Sequence, residues 1–161
     1  MLEVVLYQPE IPHNTGAIMR LCASTNSRLH LIEPLGFSLS NKYLKRSGMD
    51  YRNRVNMQFY PSLENMLDVV VRSKTNQPQV FAFTTKAKTF YFNAKLNQAD
   101  VLIFGPETRG LPLEFLDKLN NDRKLRIPMI KGERSLNLAM SVGIVVYEAI
   151  RQNQINLKNI V

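Results

Sequence analysis

The sequence Leu102-Ile-Phe-Gly-Pro-Glu-Thr-Arg-Gly-Leu111 runs from an apolar segment straight into glycine, proline and hydrogen-bonding side chains. The stretch from Ile127 to Ala139 has the same layout, with Pro128 after its apolar start and Ser135 and Asn137 further on. In α/β proteins, ligands bind where such loops gather at the carboxyl ends of the strands. The two stretches therefore predict a binding site formed by loops at one edge of a sheet.

Apolar, β-branched runs alternate with helical patterns along the chain. The predicted strands are residues 3–7, 28–32, 58–60, 80–84, 101–104 and 124–127. The predicted helices are 40–47, 63–72 (capped by Ser62), 112–119 and 136–152 (capped by Ser135), with one more that Asn14 or Thr15 caps after an irregular, proline-containing loop from Gln8 to Gly16. This alternation predicts an α/β fold, a mostly parallel sheet with helices on both faces. No repeat or linker interrupts the pattern, so residues 1–161 are expected to form a single domain.

Composition excludes several classes of protein. Apolar residues make up 45% of the chain and charged residues 21%, which is typical of a globular protein. No stretch reaches the ~18 uninterrupted apolar residues that a membrane span needs, and the first residues lack the basic start of a secretion signal. A lone Cys22 excludes an internal disulfide, and two separated histidines, His13 and His30, give no metal-ligand pattern. We therefore expect a cytoplasmic protein with neither a membrane segment nor a metal.

The formal net charge of +8 indicates a polyanionic partner. One basic group comprises Lys42, Lys45, Arg46, Arg52 and Arg54, with Tyr43 and Tyr51 among them. A second comprises Lys86, Lys88 and Lys95, interleaved with Phe90, Tyr91 and Phe92. Basic residues mixed with aromatic ones suit a nucleic acid with accessible bases. A solvated basic surface without a partner is the alternative.

The segment from Leu136 to Ile150 predicts a helix that is apolar on nearly every side. Such a helix must be covered all round, and in a chain of this size a second subunit is the natural cover. Ala139 and Gly143, one turn apart, would allow a close helix approach. The pattern therefore favours a homodimer through this C-terminal helix over a helix buried within one chain.

Known phosphate-binding and nucleophile motifs do not account for the glycine-bearing loops. Gly105 and Gly110 have P-loop spacing, but Leu111 and Pro112 follow where Lys and Ser or Thr are required. No set of glycines gives the dinucleotide fingerprint G-x-G-x-x-G. Ser135 lacks the sequence context of a nucleophile elbow.

Three segments carry a family resemblance: Asn14-Thr-Gly-Ala-Ile-Met-Arg20, Phe104-Gly-Pro-Glu-Thr-Arg-Gly-Leu111, and Ile127-Pro-Met followed by Arg134-Ser-Leu-Asn137. They resemble the three motifs of the SPOUT superfamily of RNA methyltransferases, in its SpoU branch. Further matches, Leu6-Tyr-Gln-Pro-Glu-Ile-Pro-His-Asn-Thr-Gly16 among them, resemble the minimal subgroup that acts on the tRNA wobble position. The resemblance implies methylation of the ribose 2′-hydroxyl of residue 34 (cytidine or modified uridine) in tRNA. It also implies a deep trefoil knot at roughly 80–150, although knots are otherwise essentially absent from proteins.

The resemblance further implies S-adenosylmethionine as the methyl donor and assigns residues to its pocket. The expected cofactor-binding residues are Phe83, Thr84, Gly105, Ile127, Met129, Ser135 and Leu136. We expect glycine at 105 because a side chain there would block the approach of the backbone to the ligand. Alone, Ile127 and Met129 would be read as core residues and Ser135 as a helix cap.

The catalytic residues implied by the family are Arg20, Asn14, Glu107, Ser135 and Asn137. A ribose hydroxyl is far from ionised at neutral pH, so the site must remove its proton or stabilise the developing alkoxide. A guanidinium stays protonated, so we expect Arg20 to orient the 2′-oxygen or a phosphate and stabilise negative charge. Asn14 would support Arg20 or bind the ribose, and Glu107 would orient Arg20 or act as the base. In this family the motif-one arginine meets the cofactor of the opposite subunit, and the alternative for Glu107 is a local ion pair with Arg109.

The anticodon loop of tRNA is the expected partner. The residues expected to bind it are Lys42, Lys45, Arg46, Arg52, Lys86, Lys88 and Arg151. Two alternatives remain open from the sequence: a 2′-O-methyltransferase that acts on another RNA site, and a non-catalytic RNA-binding protein with the same fold.

Overall fold

The computed structural model describes residues 1–38, 54–75 and 78–153. The predicted helix at 40–47, and with it Lys42, Lys45, Arg46 and Arg52, lies outside the described residues. In the described ranges, no helix is long and apolar enough to cross a membrane. The same ranges contain no group of three or more His, Cys, Asp or Glu side chains placed to hold a metal ion.

The described strands form one sheet in which every pair is parallel. The strands are β1 Glu3–Tyr7, β2 Arg28–Ile32, β3 Met57–Tyr60, β4 Val80–Phe83, β5 Thr89–Phe90, β6 Val101–Phe104 and β7 Lys124–Arg126, in the spatial order β3-β2-β1-β6-β4-β7-β5. The boundaries of β1, β2 and β6 are those predicted. The two-residue strand β5 was not predicted, because so short a segment becomes a strand only by pairing with β7.

Helices flank the sheet as α1 Pro12–Ser24, α2 Leu63–Leu67 (continued as a π-helix, Asp68–Arg72), α3 Leu113–Asp117 and α4 Leu138–Asn153, with short 3-10 turns at Tyr91–Asn93 and Asn121–Arg123. Ser62 caps α2 as predicted, since its hydroxyl accepts from the Asn65 amide at 3.1 Å. The other two cap predictions are wrong. Helix α1 begins at Pro12, so the loop before it is shorter than predicted. The N-cap of α1 is Ile11 rather than Asn14 or Thr15. Proline is tolerated at the first position of a helix, where its missing N–H is not needed.

The N-cap of α4 is Asn137, and Ser135 lies two residues before it. The Oδ1 atom of Asn137 accepts from the backbone amides of Ala139 at 2.9 Å and Met140 at 3.2 Å. The helix therefore begins at Leu138, two residues later than predicted, and the segment 133–137 is irregular.

The sheet is covered on both faces, as predicted. Along β1, Val4 and Leu6 pack into a core cluster with α1 and α4, whereas Val5 packs into a second cluster with α2 and α3. Helix α4 contributes six buried residues to the first cluster: Leu138, Val142, Val145, Val146, Ala149 and Ile150. Its other side is open in the single chain, where Met140 is 60% and Tyr147 58% exposed.

Parallel pairing places the carboxyl ends of β1, β6, β4 and β7 at one edge of the sheet. The segments that leave this edge are 8–11, 105–112, 84–88 and 127–137. They include both glycine-bearing stretches and the loop that precedes α1.

Candidate active site at the carboxyl edge of the sheet

A cavity of about 770 Å³ opens where these loops meet. All seven predicted cofactor-binding residues line it: Phe83, Thr84, Gly105, Ile127, Met129, Ser135 and Leu136. Of the predicted catalytic residues, Asn14, Glu107, Ser135 and Asn137 line it as well. The volume lies in the range of about 300–1,000 Å³ that is usual for pockets that bind small molecules.

The cavity combines an apolar floor with a charged rim. Phe83 stacks on Phe104 with ring centroids 4.6 Å apart, and the core residue Leu125 lies beside them. The charged residues that line the cavity are Lys86, Arg109, Arg134 and Glu107. With three cations and one carboxylate, the rim attracts anionic groups.

The folding of the loop itself requires glycine at position 105. A Cβ at this position would lie 2.5 Å from the carbonyl carbon of Gly110 and from the amide nitrogen of Leu111. The loop can fold back this closely because Gly110 has a φ of +71°, a conformation that residues with a Cβ rarely adopt. Gly105 therefore shapes the cavity by letting the 105–111 loop close on itself.

Glu107 connects this loop to the start of α1. Its Oε2 accepts from the backbone amide of Glu10 at 2.8 Å. Its Oε1 accepts from the backbone amide of Ile11 at 3.2 Å and from Asn14 Nδ2 at 2.9 Å. Asn14 Oδ1 in turn accepts from Asn137 Nδ2 at 2.8 Å. A series of hydrogen-bonded side chains, Glu107–Asn14–Asn137, thus joins all three motifs of the sequence.

A second carboxylate makes the reverse connection. Glu10 accepts from the Thr108 amide at 3.1 Å, from the Thr108 hydroxyl at 2.7 Å and from Arg109 at 2.8 Å. Arg109 also donates to Gln8 Oε1 at 2.7 Å, and Gln8 has a φ of 47°, which is uncommon for a residue other than glycine. The sequence did not single out Glu10, and Arg109 pairs with it rather than with Glu107.

Arg20 is the predicted catalytic residue that does not line this cavity. It lies six residues after Asn14 on α1, which places it about 240° around the helix at 100° per residue. Asn14, Ile18 and Cys22 face the protein interior, whereas Arg20 lies on the exposed side of α1. Arg20 and the cavity of the same chain therefore lie on different sides of α1.

The remaining predicted RNA-binding residues are spread over the surface. Lys86 lines the cavity, and Lys88 is exposed on the segment that follows it. Arg151 is exposed near the end of α4, where two of its nitrogens donate to Glu148 at 2.8 Å. Hydrogen bonding from this guanidinium lowers the pKa of Glu148.

Comparison with known proteins gives the family. Residues 1–147 match the SpoU rRNA Methylase family. A relative in Aeromonas hydrophila named tRNA (cytidine(34)-2′-O)-methyltransferase is 49% identical over 152 residues, 94% of either chain. A solved structure described as giving structural insights into the 2-OH methylation of C/U34 on tRNA is 45% identical, with a TM-score of 0.86, over 94% of this chain and 95% of that one.

The AviRb SpoU methyltransferase of Streptomyces viridochromogenes, solved in complex with AdoMet, shares the fold alone. It is 24% identical with a TM-score of 0.82, over 94% of this chain and 60% of that chain. The full-length matches at higher identity confirm the resemblance that the three motifs carried. On these grounds the chain belongs to the SpoU family of RNA methylases.

Proposed function

We propose that this protein transfers a methyl group from S-adenosylmethionine to the ribose 2′-hydroxyl of the wobble nucleotide, cytidine or modified uridine 34, of tRNA. The observation that carries the proposal is the convergence of all three motifs on one cavity through the Glu107–Asn14–Asn137 chain. The relatives that match the full length of the chain bear the name of this reaction.

The residues around the cavity fit S-adenosylmethionine. Phe83, Leu125 and Ile127 offer an apolar slot for an adenine ring, and Lys86 and Arg134 offer positive charge for a carboxylate. Thr84, Met129, Ser135 and Leu136 complete the lining of the proposed cofactor site. When bound, the cofactor supplies an electrophilic methyl group on a sulfonium.

The chain's own residues prepare the hydroxyl. Arg20 orients the 2′-oxygen, or the neighbouring phosphate, and stabilises the negative charge that develops as the proton leaves. Asn14 and Glu107 hold the site in shape, because both ends of the Asn14 amide and both oxygens of Glu107 are already hydrogen-bonded. This geometry favours a positioning role for Glu107 over the role of proton acceptor. Ser135 completes the polar wall.

The exposed position of Arg20 supports catalysis across a homodimer. Arg20 is exposed and does not line the cavity of its own chain, and the open side of α4 with Met140 and Tyr147 provides an apolar surface for a second copy. Pairing through α4 and the adjacent α1 would bring Arg20 of one subunit to the cavity of the other. The dimer is then part of the active site.

Four further features belong to the proposal. Lys86, Lys88 and Arg151 contact RNA phosphates. Residues 1–161 form one domain, which acts in the cytoplasm, where its tRNA substrate is. A trefoil knot spans roughly 80–150. Its support is that the end of α4 returns to the segment after β5, where Gln152 donates to the Ala94 carbonyl and Asn153 to the Leu96 carbonyl.

The test is methylation of total tRNA from a bacterium that lacks its own wobble 2′-O-methyltransferase, with the methylated nucleotide mapped by mass spectrometry. We expect 2′-O-methylation at position 34. Arg20→Ala should abolish transfer and leave the calorimetric affinity for S-adenosylmethionine nearly unchanged, whereas Arg72→Ala, an exposed helical arginine far from the cavity, should keep full activity. Methylation at another nucleotide would refute the target, and the absence of binding heat at millimolar cofactor would favour a non-catalytic RNA-binding protein.

A further inference from the structure

In the described ranges, the cations without a carboxylate partner lie mainly at the cavity and on or beside strands β5 and β7. In residues 1–38, 54–75 and 78–153, most arginines and lysines elsewhere, such as Arg28, Arg72 and Lys74, form ion pairs with acidic side chains. The cations that make no ion pair in these ranges include Lys86, Lys88, Lys95, Lys124, Arg126 and Arg134. Positive charge that the protein leaves uncompensated attracts a polyanion.

Aromatic rings lie among these cations, on the edge strand β5 and the turn that follows it. Phe90 and Phe92 stack with ring centroids 5.4 Å apart, and Tyr91 meets Phe92 edge-on at 5.3 Å. Phe92 is 48% exposed. Its ring is therefore held by its neighbours while much of its surface faces solvent.

Arg126 is the cation most closely associated with these rings. It lies opposite Phe90 in the β5–β7 register, and its guanidinium sits over the Phe90 ring at 5.4 Å from the centroid. Its Nε is buried and has no hydrogen-bond partner in the described part of the chain. A guanidinium over an aromatic ring adds positive charge to the ring and fixes its orientation.

Strand β5 and the turn Tyr91–Asn93, which together form the aromatic edge of the sheet, adjoin the proposed active site along the chain. Arg126 directly precedes Ile127, which lines the cavity, and Lys86 at the cavity leads along the chain to Lys88 and β5. A strand of nucleic acid that places one ribose at the cavity would extend over this edge.

We propose that Phe92, supported by Phe90 and Arg126, is a stacking platform for an unpaired base of the loop that carries the methylated nucleotide. Base–aromatic stacking between cations is how single-stranded nucleic acids are bound with little dependence on sequence, and the anticodon loop supplies unpaired bases. The platform rests on the proposed function and adds to it a determinant of RNA binding that is separate from the three motifs.

The test compares Phe92→Ala and Phe92→Tyr with Phe59→Ala. Phe59 is a matched control, since it is 37% exposed on β3, the strand at the opposite edge of the sheet. Stacking of one base contributes between about fivefold and a hundredfold in affinity. We expect Phe92→Ala to raise the KM for tRNA in this range, with kcat falling no more than about twofold and the Kd for S-adenosylmethionine unchanged. Phe92→Tyr should restore the KM, and Phe59→Ala should not alter it.

A second measurement does not depend on turnover. Two anticodon stem-loops carry 2-aminopurine on either side of the wobble nucleotide, and stacking quenches its fluorescence. The wild-type protein should quench at least one of the two, and Phe92→Ala should not. Equal KM and equal quenching in wild type and Phe92→Ala would overturn the platform while leaving the methyltransferase proposal intact. If wild type methylates no tRNA, the proposed function fails and the quenching alone decides on the platform. A shift of Phe92→Ala to a smaller species in gel filtration would instead assign this edge to a contact between subunits.

Discussion

Replacement of Glu3 by glutamine should make the stability of this protein less sensitive to acid. Glu3 lies at the amino edge of the sheet, away from the cavity, and its side chain is 2% exposed. Its carboxylate receives hydrogen bonds from His30 Nε2 at 2.8 Å, Lys74 Nζ at 2.9 Å and Arg28 at 3.0 Å. Burial by itself raises the pKa of Glu3, but the hydrogen bonds and charges of His30 and Lys74 outweigh it and lower the pKa from 4.5 to about 2.

The size and the sign of the effect follow from this difference in pKa. A carboxyl group whose pKa is 4.5 in the unfolded chain and about 2 in the folded one stabilises the fold when both states are ionised. At about 1.4 kcal/mol per pH unit, the contribution is about 3 kcal/mol at neutral pH. It is fully present above pH 4.5 and is lost as the pH falls towards 2.

Urea unfolding followed by circular dichroism, at one protein concentration and at several pH values from 7 down to 2.5, measures this contribution. Wild type should lose about 2.5 kcal/mol more than Glu3→Gln between pH 5 and pH 2.5. The two proteins should differ most at pH 7 and converge at the acid end. Glu114→Gln is the control, because Glu114 has 86% of its side chain exposed and should leave the pH profile unchanged. A Glu3→Gln profile parallel to that of wild type would refute the reasoning.

Substitutions at three positions test the site. Gly105→Ala places a Cβ 2.5 Å from the backbone of Gly110 and Leu111, so we expect at least a tenfold loss of S-adenosylmethionine affinity by calorimetry, and an unchanged affinity would contradict the tight loop. Asn137→Ala removes the cap of α4 and should cost about 1–2 kcal/mol in urea unfolding. Asn137→Asp should restore that stability but not methyl transfer, because it cannot donate to Asn14. Glu107→Gln replaces one of the two acceptor oxygens with an NH2 donor, so at least one N–H group loses its acceptor, and the change should cost about 2 kcal/mol; lost turnover at unchanged stability would instead make Glu107 the proton acceptor.

The elements that local sequence specifies were predicted well. Strands β1, β2 and β6 are short, mainly apolar segments, and Ser62 has the local signature of a cap. Strand β5 escaped prediction because Thr89 and Phe90 form it only by pairing with β7. The cap of α4 was assigned to Ser135 because serine and asparagine are both good caps, and only the packing of the apolar face, which starts at Leu138, selects Asn137.

The residues of the cavity were predicted through the family motifs, whereas the contacts that assemble it were not. Glu10 and Glu107 each bind the backbone of the other's loop across more than ninety residues of sequence. The two loops meet because β1 and β6 are adjacent parallel strands, with Leu6 opposite Phe104. Once β1 and β6 are paired, the two loops leave the sheet at the same level. The backbone amides of each loop can then donate to the carboxylate on the other loop. Strand order is therefore the missing information: it depends on how the whole core packs, and it alone determines which of several acidic loops become partners.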